Sequence, residues 1–161
     1  MSVTIHNRKS PQFLTEQDEK NLLRAIERLH SDRKRLKYRL IILIMLDCGA
    51  RISEVIRLQL RDIDPQRRIL RIESLKKRQD GIYREIPMTT RLVEALAKWW
   101  LQLNETTPTS YLFPADSETG HINRNGVWKV LKKISDGRVH PHLLRHTFAT
   151  KIVRKTISES K

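Results

Sequence analysis

Two basic clusters carry the side chains best suited to chemistry. His142 and Arg145 stand three apart in Pro141-His142-Leu143-Leu144-Arg145-His146, a spacing that sets both on one face of a helix. Arg51 stands alone in Gly49-Ala50-Arg51-Ile52-Ser53-Glu54, at the break between an apolar run and a second helical start. A phosphodiester reacting at phosphorus gathers charge on its non-bridging oxygens, and two guanidinium forks can hold those oxygens with no change in protonation. Arg51 and Arg145 suit that task, and His142 can hydrogen-bond the same phosphate or handle the proton of an attacking hydroxyl. The competing reading makes Arg51 a surface residue paired to Glu54 or Asp47. Metal-free diester chemistry also needs an acid for the departing sugar oxygen. Lys76 or Lys77, near the tip of an expected hairpin, can supply it, while the plainer reading leaves both as exposed lysines.

Other chemistries find less support. His142 and His146 have the four-residue spacing of helical metal ligands, but no glutamate lies between them and Cys48 is the only thiol. No metal and no cofactor is therefore expected. A glycine-rich phosphate loop with its lysine is absent, as is a Ser-His-Asp arrangement in a recognisable setting, so nucleotide hydrolysis and acyl transfer rank low.

The charge balance agrees with a phosphate partner. The 161 residues hold 32 Lys plus Arg against 18 Asp plus Glu, a formal net charge of +14, for which a polyanionic partner is the simplest explanation. An apolar share of 39% is enough for a real core. A single cysteine rules out an internal disulfide framework and suits a reducing, intracellular setting. The longest apolar stretch, residues 40–46, is far too short to span a bilayer, and His6, Arg8 and Lys9 are not followed by a hydrophobic segment. Neither signal peptide nor membrane anchor is expected.

Periodicity then indicates what positions these residues. Residues 1–13 lack a period and read as a tail or linker. Thr15-Glu16-Gln17-Asp18 resembles a capped helix start, with Leu22, Leu23, Ile26 and Leu29 following at helical spacing, which predicts a helix over about 15–30. Residues 38–47 are apolar nearly all round, as in a buried central helix stopped by Gly49. A short amphipathic helix over 53–60 precedes a change of period to two. Residues 70–75 and 82–87 then form two strands of a hairpin turned at Asp80-Gly81. Thr90 opens a helix with an apolar stripe of Leu92, Val93, Leu96, Trp99, Trp100 and Leu103, whose tryptophans belong to the core rather than to base stacking. Tyr111-Leu112-Phe113-Pro114 is a short buried segment. Asn123 caps a helix to about Ile134 with Val127, Val130, Leu131 and Ile134 inward and Arg124, Lys129, Lys132 and Lys133 outward, free to meet solvent or phosphates. Pro141 starts the last helix. The expected fold is mainly α with a small antiparallel β-hairpin or sheet (α+β).

Three segments in this order resemble the catalytic domain of the tyrosine recombinases, or phage integrases, over residues 14 to about 153. The first arginine box is matched by Leu46-Asp47-Cys48-Gly49-Ala50-Arg51-Ile52-Ser53-Glu54-Val55, with Leu58 and Asp62-Ile63-Asp64 after it. The hairpin ending in Arg84-Glu85-Ile86-Pro87 resembles the family's catalytic-lysine hairpin, and His142-Leu143-Leu144-Arg145-His146 resembles the second box. The resemblance implies that Arg51 and Arg145 clamp the scissile phosphate, that His142 assists proton transfer, and that Lys76, with Lys77 as rival, is the acid for the 5′-oxygen. Lys77, Arg78, Arg124, Lys129, Lys132 and Lys133 become expected DNA contacts.

The family's nucleophile is a tyrosine that forms a 3′-phosphotyrosine link, used for integration, excision or resolution of plasmids and chromosomes. It lies beyond the second box, whereas Tyr38, Tyr83 and Tyr111 all precede it. The chain as given, with a tail at 1–13, a catalytic domain at 14–155 and a truncated end at 156–161, is thus expected to bind DNA without completing strand exchange. Family members assemble as tetramers on DNA; this chain is expected to be a monomer. The alternative is a catalytically silent DNA-binding relative acting as a regulator or accessory factor. An RNA-binding basic protein fits the charge but gives no reason for three boxes together.

Overall fold

A computed structural model describes residues 13–74 and 81–160 of the chain. Helix α1 (Glu16–Ala25) starts where a capping box closes: the Thr15 hydroxyl accepts the Asp18 N–H at 3.1 Å and the Asp18 carboxylate accepts the Thr15 N–H at 3.0 Å. The helix expected to reach residue 30 instead tightens into a 3-10 turn over Ile26–Arg28 and leaves helical geometry at Leu29. Leaving there buries Leu29 and sets Ser31 in extended geometry, where its Oγ accepts the Lys34 N–H at 3.0 Å to open α2 (Asp32–Cys48).

The apolar run of α2 is fully enclosed. Residues 40–46 are buried on every side, with the helices Thr90–Trp100 and Pro141–Glu159 packed against them, which is why no polar face was legible there. Gly49 ends it in the left-handed region (φ 65°), its N–H donating to the Met45 carbonyl at 3.1 Å.

Helix α3 (Ile52–Val55) is one turn long, shorter than the helix expected over 53–60. The reason lies far along the chain. The Leu58 carbonyl accepts the Leu112 N–H at 2.8 Å, and the Leu60 N–H donates to the Ser110 carbonyl at 2.9 Å, so the chain is extended at Gln59, where it bridges Tyr111, before a 3-10 turn over Leu60–Asp62. A continuing helix would consume those backbone groups. The extended segment leads into a strand not expected from the sequence, β1 (Ile63–Asp64), which joins β2 (Ile69–Glu73) and β3 (Tyr83–Pro87) in an antiparallel sheet ordered β1-β2-β3. Leu70 pairs with Ile86 and Ile72 with Arg84, so Arg84 shares the inward face with buried Leu70 and Ile72. Lys76, Lys77 and Arg78 lie outside the described residues.

Helix α4 (Thr90–Trp100) is capped by the Thr89 hydroxyl and buries Leu92, Ala95, Leu96 and Trp99. The Trp99 indole N–H donates to the Leu112 carbonyl at 2.7 Å; Trp100 is only half-buried. Helix α5 (Arg124–Ile134) begins at Asn123 and points Val127, Leu131 and Ile134 inward. Helix α6 (Pro141–Glu159) has proline in its first turn and sends Leu143, Leu144 and Thr147 into the core. The Thr147 hydroxyl accepts the Leu14 N–H at 2.8 Å, fixing the entry to α1 against α6. The helix runs unbroken to Glu159, and its last two turns expose Ile152, Val153 and Ile157. The fold is mainly α with a small antiparallel sheet, and no described helix is long and apolar enough to cross a membrane.

Candidate functional site

The turn after α2 and the first turns of α6 meet at Gly49. A Cβ on this residue would strike the ring of Phe148, so α6 approaches the Arg51 turn as closely as a backbone without a side chain allows. Arg51 follows in extended geometry, its N–H donating to Glu54 Oε1 at 2.8 Å. The side chain of Glu54 has 0% exposure, and its carboxylate receives a bidentate pair of hydrogen bonds from Arg84: Nη1 to Oε2 at 2.8 Å and Nη2 to Oε1 at 2.9 Å. Burial pushes the Glu54 carboxyl upward, yet the Arg84 hydrogen bonds, the Arg51 N–H and both positive charges outweigh it and hold the group below the usual carboxylate range. The same hydrogen bonds raise Arg84 above the ordinary guanidinium value against its partial burial.

Asp47 is equally engaged. It accepts the Thr89 hydroxyl at 2.6 Å and Arg91 Nε at 2.9 Å. Both carboxylates offered by the sequence as partners for Arg51 are thus taken by other arginines. Among the described residues, Arg51 and Arg145 form no ion pair. The half-buried Arg145 guanidinium sits below its ordinary value, first through desolvation and then through the nearby charges of Arg51 and Arg84, with Glu54 opposing. The charges of three guanidinium groups therefore act on a single carboxylate, and that carboxylate is bound by the one among them that belongs to the sheet, Arg84.

His142 is exposed one turn before Arg145, its Nε2 3.0 Å from Nε2 of His146. No group of three or more histidines, cysteines or carboxylates suited to a metal ion occurs among the described residues. Arg124, Lys129, Lys132 and Lys133 are all exposed on α5. Arg124 and Lys132 flank Trp128 at four-residue spacing, on the stripe of α5 that faces His140, while Lys129 and Lys133 lie farther round the helix. Cys48 is buried between these elements, its thiol pushed up to about 12 by burial and by the Asp47 charge.

Sequence reasoning left three contributors unassigned. Arg84 looked like the end of a hairpin, since its partner lies 30 residues away. His140, the α6 cap, and Trp128, stacked on it, were also unread. Trp128 did leave a signal, being a single aromatic residue on the basic side of an amphipathic helix.

The sequence model of the phage integrase family matches residues 12–161. A tyrosine recombinase of Thermosipho africanus is 30% identical over 156 residues, covering 94% of this chain and 51% of the relative. The crystal structure of XerA recombinase superposes with a TM-score of 0.72 at 25% identity, over 93% of this chain and 52% of that one. XerH site-specific recombinase, solved bound to its difH substrate in a pre-cleavage complex, shares the fold with a TM-score of 0.70 at 22% identity, over 94% of this chain and 45% of that one. The chain thus spans about half the length of the relatives it matches. It belongs to the phage integrase family, and its fold is that of a tyrosine recombinase catalytic domain.

Proposed function

We propose that this chain supplies the DNA-binding and phosphate-clamping part of a site-specific recombinase. The observation that carries the reading is the pair Arg51 and Arg145, whose charges repel within one neighbourhood while Glu54, the carboxylate that opposes that repulsion among the described residues, is held by Arg84. Like charges gathered without a counter-ion are relieved by an anion, and a DNA phosphate has the oxygens to meet both forks. The two arginines then stabilise the charge that grows on phosphorus oxygens as a hydroxyl attacks.

In the full reaction a tyrosine hydroxyl forms a bond to phosphorus, the bond to the 5′-oxygen breaks, and the departing oxygen takes a proton from Lys76. His142 handles the proton of the attacking hydroxyl or hydrogen-bonds the phosphate. The energy of the diester is kept in the phosphotyrosine link, so resealing requires neither nucleotide nor metal. Tyr38 is buried in α2 and Tyr83 lies under the Arg71 guanidinium on the sheet, so neither suits the nucleophile. That residue, and the assembly of four copies on DNA, belong to the complete recombinase. Arg124 and Lys132 on α5 extend the contact along the backbone.

The test is a salt titration of a fluorescent duplex by anisotropy. Each phosphate contact contributes about 0.9 to the slope of log affinity against log salt, so Arg51→Ala and Arg145→Ala should each weaken binding and flatten the slope by roughly one. Variants that bind with unchanged affinity and slope overturn the clamp. In the complete protein a nicked duplex should trap a covalent adduct that Arg51→Ala abolishes. DNA binding with no adduct from the wild type would instead mark a silent DNA-binding relative.

A further inference from the structure

Trp128 is 45% exposed, so the core does not account for it. Its indole lies flat against His140, with centroids 5.6 Å apart and planes 11° from parallel. His140 in turn is nearly parallel to His142, 6.4 Å away and 15° off, and His142 meets His146 with ring centres 4.5 Å apart. Three rings from α5, the turn before α6 and α6 itself thus form one column, with the His146 ring tilted 59° at its end, on the helical face that carries Arg145.

His140 is fixed on two sides. Its Nδ1 accepts the Leu143 N–H at 3.2 Å as the cap of α6, which orients the ring edge, while the indole covers the ring face. An Nδ1 that accepts carries no proton, so the neutral ring holds its hydrogen on Nε2. Burial, followed by the charges of His142 and His146, keeps His140 below the ordinary histidine value, consistent with that neutral tautomer. His142, by contrast, is exposed on a first helical turn, and among the described residues its side chain hydrogen-bonds to His146 alone. Unsupported, an imidazole there samples several rotamers.

We propose that Trp128 and His140 are positioning residues that hold the His142 imidazole, by ring stacking, in the orientation that meets the phosphate between Arg51 and Arg145. The inference rests on the clamp reading above. Aromatic stacking of this kind is strong enough to favour one rotamer by roughly two- to tenfold, which sets the effect to look for.

The experiment follows His142 by its ring C–H signals in NMR while inorganic phosphate is titrated into the wild-type chain, Trp128→Ala, Trp128→Phe and His140→Asn, with Arg145→Ala as the control that removes the clamp. Asparagine caps a helix as well as the imidazole does, so His140→Asn removes the ring and keeps α6 intact. In Trp128→Ala the ring-current shift of His140 should vanish and the phosphate midpoint read at His142 should rise roughly two- to tenfold. Trp128→Phe should restore most of both. His140→Asn should reproduce the Trp128→Ala midpoint. Circular dichroism confirms the fold of each variant. A His140→Asn chain that behaves as wild type, or a Trp128→Ala chain with an unmoved midpoint, overturns the inference while leaving the clamp standing. A wild-type His142 signal indifferent to phosphate removes the clamp itself, and the inference with it.

Discussion

Replacing Gly49 by alanine should separate the cost of a strained backbone from the cost of a collision between two elements of the site. At φ 65° an L side chain loses about 1–2 kcal/mol relative to glycine. The new methyl would also run into the Phe148 ring, and overpacking of this kind costs about 1–3 kcal/mol. Against both, alanine restricts the unfolded chain and returns roughly 0.4–1 kcal/mol. The net expectation is a loss of about 1–4.5 kcal/mol, which for a chain of this size lowers the midpoint of thermal unfolding by about 2–18 °C. Urea unfolding followed by tryptophan fluorescence gives the free energy directly, with an unchanged m-value showing that only stability has moved. Phe148→Leu should relieve the collision but not the backbone strain. The double variant should therefore be more stable than the sum of the single changes by about 1 kcal/mol or more. Additivity within about 0.5 kcal/mol would mean that the alanine and the ring never meet, and the packing of α6 on the Arg51 turn would have to be redrawn. Since Arg51 lies two residues after Gly49 and Arg145 three before Phe148, the same contact sets the separation of the two clamp arginines. DNA affinity of Gly49→Ala should fall even at temperatures where the variant is fully folded.

Two further outcomes follow from the charges. Glu54→Gln should cost roughly 1.5–3 kcal/mol at neutral pH through loss of the charged hydrogen bonds from Arg84. Because the folded-state value of Glu54 lies below that of the unfolded chain, its stabilisation is complete above about pH 4.3 and fades as pH falls through the lower, folded value. The gap between wild type and Glu54→Gln should narrow accordingly on acidification, and a pH-independent gap would exclude the ion pair as its source. Cys48, buried with its thiol near 12, should resist iodoacetamide in the native chain and react only past the urea midpoint. Full alkylation of the folded protein would contradict that burial.

What could be read from the chain divides by the range of the interactions involved. The starts of α5 and α6 and the end of α2 are set by Asn123, Pro141 and Gly49, each acting within one helical turn, and all were legible; α4 does begin at Thr90, but the residue that caps it is Thr89. The end of α1, the brevity of α3 and the existence of β1 were not. Residues 58–60 are drawn out of a helical pattern by hydrogen bonds to residues 110–112, and no local period announces a partner some 50 residues away. The site divides in the same way. Arg51, His142 and Arg145 stand in recognisable local patterns, whereas the partner that takes Glu54 away from Arg51 is reached only once Ile72 pairs with Arg84. The register of the sheet, which brings an arginine to the inward face, is therefore what leaves Arg51 without a carboxylate.

That arrangement should carry a measurable conflict between stability and binding. A guanidinium whose folded-state value lies below its ordinary one still carries its charge at neutral pH but holds it less favourably than in the unfolded chain, so the charge on Arg145 opposes folding. Its desolvation and the repulsion from Arg51 and Arg84 are the causes, and only Glu54, already occupied, works against them. Arg145→Met keeps the stem of the side chain and removes the charge. If the repulsion is real, this variant unfolds at the same urea concentration as wild type or a higher one, while its affinity for a duplex falls. Adding the ligand should reverse the order: an anion at ten times its dissociation constant stabilises the wild type by about 1.4 kcal/mol and leaves Arg145→Met nearly unmoved. A variant less stable than wild type by more than about 1 kcal/mol in the absence of anions would show that Arg145 is held by a structural partner. Clamp and core would then be one interaction, and the case for a site left charged in readiness for phosphate would fail.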